Sequence, residues 1–494
     1  MRTPMTTHPS DTSPPEERHG FIRTLGRIDV FFLGFGSMIG FGWIVLTGGW
    51  IQSAGTLGAV TAFLVGGVVM ALVGLVYSEL VSAMPKAGGE HHYLLRGMGP
   101  RAALLGSWGI VGGYVTVILF QSVAVPRSLT YLFPDLPRIE LWTIAGADVH
   151  LTWALVGSAT AALLTWLNVR GIRQAGLLQT SAVLFLVVVA VVLLASSFFG
   201  GRPENVEPLF TGGGSGIIAV LVVVPFLFVG FDVIPQSAEE ARVSPRRIGS
   251  LVVLSVVMAA VFYIVIVVTT SLAAPTDSLG SMDLATADAM THMLGHPFWG
   301  MFVVAGGLAG IVTTWNAFLI GVSRLLWAMA RSGMIPRWFG VMHRRNGTPV
   351  NALLFVGALS MGAPFFGLAM LDWAVDSGGP SIVITYLMVS VVFLLLRRRE
   401  PGMERPMRVG GRRPWVGVLV GVAAVVTTTA MLALYLPGMP ASLSPEPWLT
   451  FVAWWALGLV FLVRIPGGVR PGPEAEEELS ARVAERTRRR SGRP

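Results

Sequence analysis

An all-α protein that crosses a membrane many times is the fold class this sequence predicts, and three observations carry it. Only 13% of the 494 residues are charged while 53% are hydrophobic, and the mean hydropathy is +0.69; a soluble globular chain carries about 25% charged residues. Apolar runs recur along the whole length, each near the ~20 residues that cross a bilayer as a helix. Basic residues gather in every second loop between those runs. No stretch alternates apolar and polar residues as a barrel strand does, so helices are expected.

Length and hydropathy place about twelve spans at 28–52, 57–83, 102–132, 151–168, 176–199, 215–240, 250–274, 299–328, 351–368, 379–396, 415–436 and 448–463. Arg18, Arg23 and Arg27 precede the first. Alternate loops then carry Lys86, Arg96 and Arg101; Arg170 and Arg173; Arg242, Arg246 and Arg247; Arg331, Arg337, Arg344 and Arg345; and Arg397 to Arg399. The intervening loops carry Asp135, Asp148, Asp277, Asp283, Asp372 or Asp376 instead. Positive charge stays inside, so the sequence predicts a multi-pass protein of the cell membrane with both termini in the cytoplasm.

The formal charge of +8 is therefore topological, and no nucleic-acid partner is implied. Residues 1–27 read as a disordered cytoplasmic N-terminus, with no apolar region of a cleaved signal. Residues 465–494 read as a basic and acidic cytoplasmic tail; its end, RTRRRSGRP, is expected to be solvated and disordered, with contact to anionic lipid as the alternative. Between them, 28–464 is one membrane domain. The loops around 133–150 and 275–298 are too short to fold alone. There is no cysteine, and the one lysine, Lys86, lies outside any GxxxxGK. All eight histidines fall in termini, loops or span edges, and adjacent His91 and His92 diverge by about 100° on a helix, so they cannot chelate on one face. No catalytic or metal constellation assembles, and no cofactor is implied.

Two spans are written so that they cannot stay helical. In the first, GSMIGFGWIV (36–45) follows Gly34, and each glycine costs about 1 kcal/mol against alanine in a helix. In the sixth, PFLFVGFDVIPQSAEE (225–240), Pro225, Gly230 and Pro235 bracket Asp232. The breaks lie five spans apart, at matching places in two halves, 28–199 and 215–397, with 415–463 as two further helices. Because five is odd, the second half is inverted relative to the first. Interrupted segments at matching positions of two halves point to a transporter binding site. Unwinding frees backbone groups that lipid cannot satisfy. Amides of Gly40, Phe41 and Gly42 at a helix start favour an anion. Carbonyls near Met38 and Phe226 favour a cation. A molecule with a carboxylate and an ammonium fits both, which describes an α-amino acid.

At this point a resemblance becomes specific. GSMIGFGWIV resembles the first-span signature of the amino acid–polyamine–organocation superfamily. YSELVSAMPKAGGEHHYLLRGMG (77–99), LNVRGIRQAG (167–176), VGFDVIPQSAEEARVSPRRI (229–248) and NAFLIGVSRLLWAMARSGMIPRWFGVMHRRNGTPVNALL (316–354) resemble later stretches of that family in order and spacing. The resemblance implies a LeuT-type five-plus-five inverted repeat with discontinuous first and sixth helices, working by alternating access. It also implies that the carbonyls of Met38, Phe226 and Val229 take the amino group and that Phe226 is an aromatic gate over the site. Ile39 and Gly230 complete the candidate set within the two breaks. Thr313 and Thr314 match a hydroxyl pair that holds sodium in some LeuT-type carriers. Leu186 stands where some members place a proton-linked lysine, and Phe41 and Trp43 are bulkier than the usual residues. The coupling ion, H+ or Na+, stays open.

Among the remaining polar residues, Glu79 and Arg324 read as structural, by snorkelling or pairing. Glu239 and Glu240, one turn from Arg242, suggest an inner gate or an ordinary interfacial cluster. Asp232, ionisable near mid-bilayer, is a functional candidate by default. The sequence thus predicts a secondary amino acid permease whose partners are a small-molecule substrate and the bilayer. An organic-amine or polyamine carrier with Asp232 as counter-ion, and an amino acid exchanger, are the alternatives. A non-transporting nutrient sensor would need an added signalling domain, and a membrane enzyme would need catalytic groups in the spans. Oligomeric state is not legible.

Overall fold

A computed structural model describes residues 21, 23–343, 345–439 and 441–491. Arg18, Arg344, His8, His19 and most of the expected disordered N-terminus lie outside the described residues. The chain runs α1 (Arg27–Met38), α2 (Gly42–Val45), α3 (Thr47–Ala54), α4 (Thr56–Ala83), α5 (Glu90–Met98) and α6 (Pro100–Leu132). The hairpin β1 (Glu140–Ile144) and β2 (Ala147–His150) leads to α7 (Leu151–Arg170) and α8 (Ile172–Gly200). There follow α9 (Gly213–Leu221), α10 (Val224–Phe228), α11 (Val233–Gln236), α12 (Pro245–Ser271), α13 (Thr276–Ser281), α14 (Ala285–Leu294) and α15 (Pro297–Arg331). Then come α16 (Val350–Gly362), α17 (Ala369–Arg399), α18 (Pro414–Ala433), α19 (Pro445–Leu462) and α20 (Ala475–Ser491).

Ten helical segments of the described residues are long and apolar enough to cross a membrane, and the shorter apolar segment Val350–Phe366 adds to them. The interrupted run from Arg27 to Ala54 is apolar as well. Their starts follow backbone chemistry. α6, α12, α15, α18 and α19 each begin with proline in the first turn, where its fixed φ suits the helix and its missing N–H costs nothing. The turn before α5 uses Gly88 and Gly89 at φ of +98° and +37°, a region that side chains disfavour.

α1 packs against α8, α11, α12 and α15, while α15 also lies along α6 and α8. α4 pairs with α12, and α6 with α17. This places both interruptions at the centre of the bundle. α18 and α19 cover the outside; Leu449, Val452 and Leu459 of α19 are exposed, as lipid-facing residues are. Both ends of the described chain meet on one face. Thr24 and Leu25 amides donate to Glu240 O at 2.9 and 3.0 Å, and Arg242 N–H donates to Leu25 O at 2.8 Å. α20 packs on α5, whose preceding turn lies against Pro235 and Gln236.

Three expectations need correction. The tenth apolar helix starts at Ala369, ten residues earlier than the hydropathy suggested, so Asp372 and Asp376 belong to a helix and not a loop. The tail is not an unstructured end as far as Ser491: Leu479 is buried, and Glu476 meets Lys86 Nζ at 2.9 Å. His91 is not a solvated edge residue; it is fully buried, its Nε2 lies 2.8 Å from Ser332 Oγ, and burial, aided by His92, pushes its imidazole down to about 3.

Candidate functional site

The first interruption falls where the glycines are densest. α1 ends at Met38, Ile39 leaves helical geometry at φ −108°, ψ 71°, and α2 begins at Gly42. The amides of Gly40, Phe41 and Gly42 donate no hydrogen bond among the described residues. On the inner side, Met38 O accepts from the Tyr263 hydroxyl at 2.8 Å, so that carbonyl has one lone pair engaged. α15 approaches through Gly310, where a Cβ would lie 2.7 Å from Ile39 O and 2.8 Å from Gly40 O. A side chain there would push the break open.

The second interruption runs from Val229 to Asp232. α10 ends at Phe228 and α11 starts at Val233. Gly230 turns the chain at φ +130°, and a Cβ on it would collide with Ser37 of α1. The Asp232 carboxylate accepts the Gly230 N–H at 2.8 Å and the Tyr386 hydroxyl at 3.3 Å. It therefore braces the turn from behind instead of capping the first amides of α11. The carbonyls of Phe226 and Val229 accept no hydrogen bond among the described residues.

Between the breaks lies a cavity of about 20 Å3 measured at the centres of the waters it could hold, which is room for roughly one water. Met38, Gly40, Phe41 and Gly42 line it from the first break, and Phe226 and Leu227 from the second. Val117, Phe120, Gln121 and Phe318 close it from α6 and α15. Phe226 sits edge-on to Phe120 with ring centroids 5.7 Å apart. Ile39, Val229, Gly230 and Asp232 are buried beside the cavity but do not line it. Sequence reasoning passed over Gln121. Its Oε1 is buried without a partner and its Nε2 is the nearest group to Gly40. A lone amide in the middle of a 33-residue apolar helix was the available signal.

The outlying candidates distribute differently. Thr313 and Thr314 hydroxyls both donate to Gly36 O, at 3.0 and 3.2 Å, and Thr313 also to Gly310 O at 2.9 Å. Leu186 is buried against Gly310, while Val183 of the same helix lies against Gly36; neither can titrate. Glu240 pairs with Arg324 and not with Arg242: Nε to Oε1 is 2.7 Å with both side chains buried. Phe21 covers the guanidinium at 5.6 Å, and Arg242 instead donates to Arg23 O at 2.8 Å. Glu239 is half-buried beside this pair. Glu79 pairs with Arg397 and with Arg405, a structural clamp.

Comparison with known proteins finds membrane transporters. The chain is 25% identical over 451 residues to the methylthioribose transporter of Bacillus subtilis, covering 88% of this chain and 92% of that one. It is 24% identical to the branched-chain amino acid permease of the same organism, over 89% and 92% of the two chains. Cationic amino acid transporter 5 of Arabidopsis thaliana is 27% identical over 91% of this chain and 77% of its own. The family described as Amino acid permease matches residues 25–461, so this chain is a membrane transporter that belongs to the amino acid permease family.

Proposed function

We propose that the protein carries a small neutral amino acid across the cell membrane by alternating access. The position of Asp232 carries this reading: it is turned away from the cavity and holds the Gly230 amide, leaving no acid in the lining. What faces the cavity is a set of unpartnered amides at 40–42, with the free carbonyls of Phe226 and Val229 close by. The amides suit a carboxylate and the carbonyls an ammonium. The apolar part of the remaining wall, Val117, Phe120, Leu227 and Phe318, suits an apolar side chain of modest size, beside polar groups of Ser37, Gln121, Tyr263 and Thr314. A carboxyl-free amine would leave the amides without purpose. Twelve spans, the inverted repeat of 28–199 and 215–397, and cytoplasmic termini complete this reading, with Phe226 as the lid and Glu240–Arg324 as the inner gate. We assign Thr313 and Thr314 to holding α15 against α1, because both hydroxyls are spent on Gly36 O. Flux in proteoliposomes is then indifferent to sodium at fixed pH; a sodium requirement raised by either alanine substitution would restore the ion site.

The deciding experiment is competition in proteoliposomes by L-valine and its decarboxylated amine, in wild type and Asp232→Asn. Valine is expected to compete and the amine to fail in both proteins. Stronger competition by the amine in wild type, lost in Asp232→Asn, would make this an amine carrier. Thermal stabilisation gives a parallel reading, since a ligand at 100 times its Kd adds about 2.7 kcal/mol.

A further inference from the structure

Behind the second interruption lies a buried polar cluster that takes no part in the cavity. Asp232 and Glu90 are both fully buried, and no hydrogen bond or ion pair of the described residues joins either to an arginine, lysine or histidine. Glu90 Oε2 accepts from Gln236 Nε2, while its Oε1 has no partner. Tyrosines from four helices surround the two carboxyls. Tyr77 of α4 packs edge-on to Tyr93 of α5 at 6.4 Å, to Tyr386 of α17 at 5.8 Å and to Phe231 at 5.4 Å. Tyr114 of α6 is the fourth. The hydroxyls of Tyr77 and Tyr93 are buried without partners, as is Gln236 Oε1, while the Tyr114 hydroxyl is turned to the Asp232 carboxylate.

The nearby charged groups are engaged elsewhere. On α5, His91 faces Ser107 and Ser332, and His92 faces Ala87 O and Glu476. On α15, Arg324 is held by Glu240, and on α4, Glu79 by Arg397 and Arg405. Two buried carboxylates without a cation repel each other and lack solvation. The ring contacts leave the carboxyls enclosed, which suits a proton and not a hydrated cation. Spare hydroxyls can donate to whichever carboxyl is charged and can relay hydrogen bonds when it is neutral.

We propose that Asp232 and Glu90, with Tyr77, Tyr93, Tyr114 and Tyr386, form an exchangeable proton site coupled to the broken sixth segment. When the proton is bound, one carboxyl is neutral and the cluster is closed. When the proton leaves to water on the face that carries the termini, the charge gained has no cation to answer it, and the cluster must open. Because Asp232 holds the Gly230 amide, this opening acts on the turn beside the substrate. The site rests on the transport reading above and takes the place of the fifth-segment amine that Leu186 cannot supply.

Two measurements separate this proposal from that reading. Infrared spectroscopy of the full-length protein in lipid nanodiscs, titrated with acid and base, is expected to show a protonated-carboxyl band. The band should vanish in Glu90→Gln/Asp232→Asn and shift in Tyr77→Phe, which keeps the packing if the double variant fails to fold. A band absent from wild type, or unchanged in both variants, overturns the site whether or not any substrate is known. In proteoliposomes with acid outside, L-valine accumulation relative to valine–valine exchange should fall in Glu90→Gln. An unchanged ratio, or accumulation that follows sodium instead, also overturns it. If wild type exchanges no amino acid at all, the amino acid reading fails and the infrared result alone decides the proton site.

Discussion

The two interruptions look alike in sequence, but different parts hold them in place. At 39–41 neighbouring side chains approach so closely that only a glycine fits: Gln121 Nε2 and Thr314 Oγ1 would lie 2.5 and 3.1 Å from a Cβ on Gly40. At 229–232 the backbone itself is bent, through Gly230 at φ +130° and the Asp232 brace. The first is a surface with unpaired amides, and the second is a hinge with its own internal bonds. Helix-breaking residues can therefore encode a binding face in one half and a moving joint in the other.

The largest effect should come where the second broken segment meets α15. Arg324→Ala leaves Glu240 buried without its partner, and breaking such a pair costs about 3–5 kcal/mol. Denaturant unfolding in detergent measures it; a loss below ~1 kcal/mol would mean that the pair is solvated and the two segments are not clamped.

Next, Gly40→Val or Gly42→Val should lower uptake by roughly 100-fold or more, about 2.8 kcal/mol at 1.4 per tenfold, with unfolding nearly unchanged. The clash at Gly42 is with the tip of Leu227, 2.7 Å from a Cβ, which can move into the cavity and fill it. Retained uptake with unchanged KM would remove the first break from the site.

Gly230→Ala should behave differently, losing stability as well as uptake, because a side chain at that φ strains the backbone by about 1–3 kcal/mol. Equal melting of Gly230→Ala and wild type would erase the distinction between surface and hinge.

The smallest effect tests how far the hinge is supported. Its tyrosine backing includes α5, which α20 clamps through Glu476. Hydrogen bonding to His92, then to Lys86, holds the Glu476 carboxyl well below the usual carboxylate range. A lowered value stabilises the clamp fully above that range and loses it as pH falls through it. The partners are partly exposed, so Glu476→Gln should cost under ~1 kcal/mol. Faster hydrogen exchange in α20 at neutral pH is the expected signature; unchanged exchange would detach the tail from the comparison.

Most of the fold was legible because span ends are written in local chemistry: Pro100, Pro245, Pro297, Pro414 and Pro445 mark starts within a few residues. The start at Ala369 was hidden because Asp372 and Asp376 lower the hydropathy of a segment that neighbouring helices half bury. α20 was hidden because its charge was read and its apolar stripe was not. Both breaks could be read from glycine and proline. Glu90 was not singled out, and Glu240 was matched to Arg242, because sequence distance does not show which helices lie side by side.

The short parallel bridge between Leu25 and Ala241 has a mechanical consequence. Three backbone hydrogen bonds stitch the entry of the first broken segment to the exit of the second. Neither inner arm can swing without pulling the other, so the pair works as one lever with two loads. A flexible insertion at Gly26 would put slack into that lever, leaving the two breaks intact while unlinking their timing.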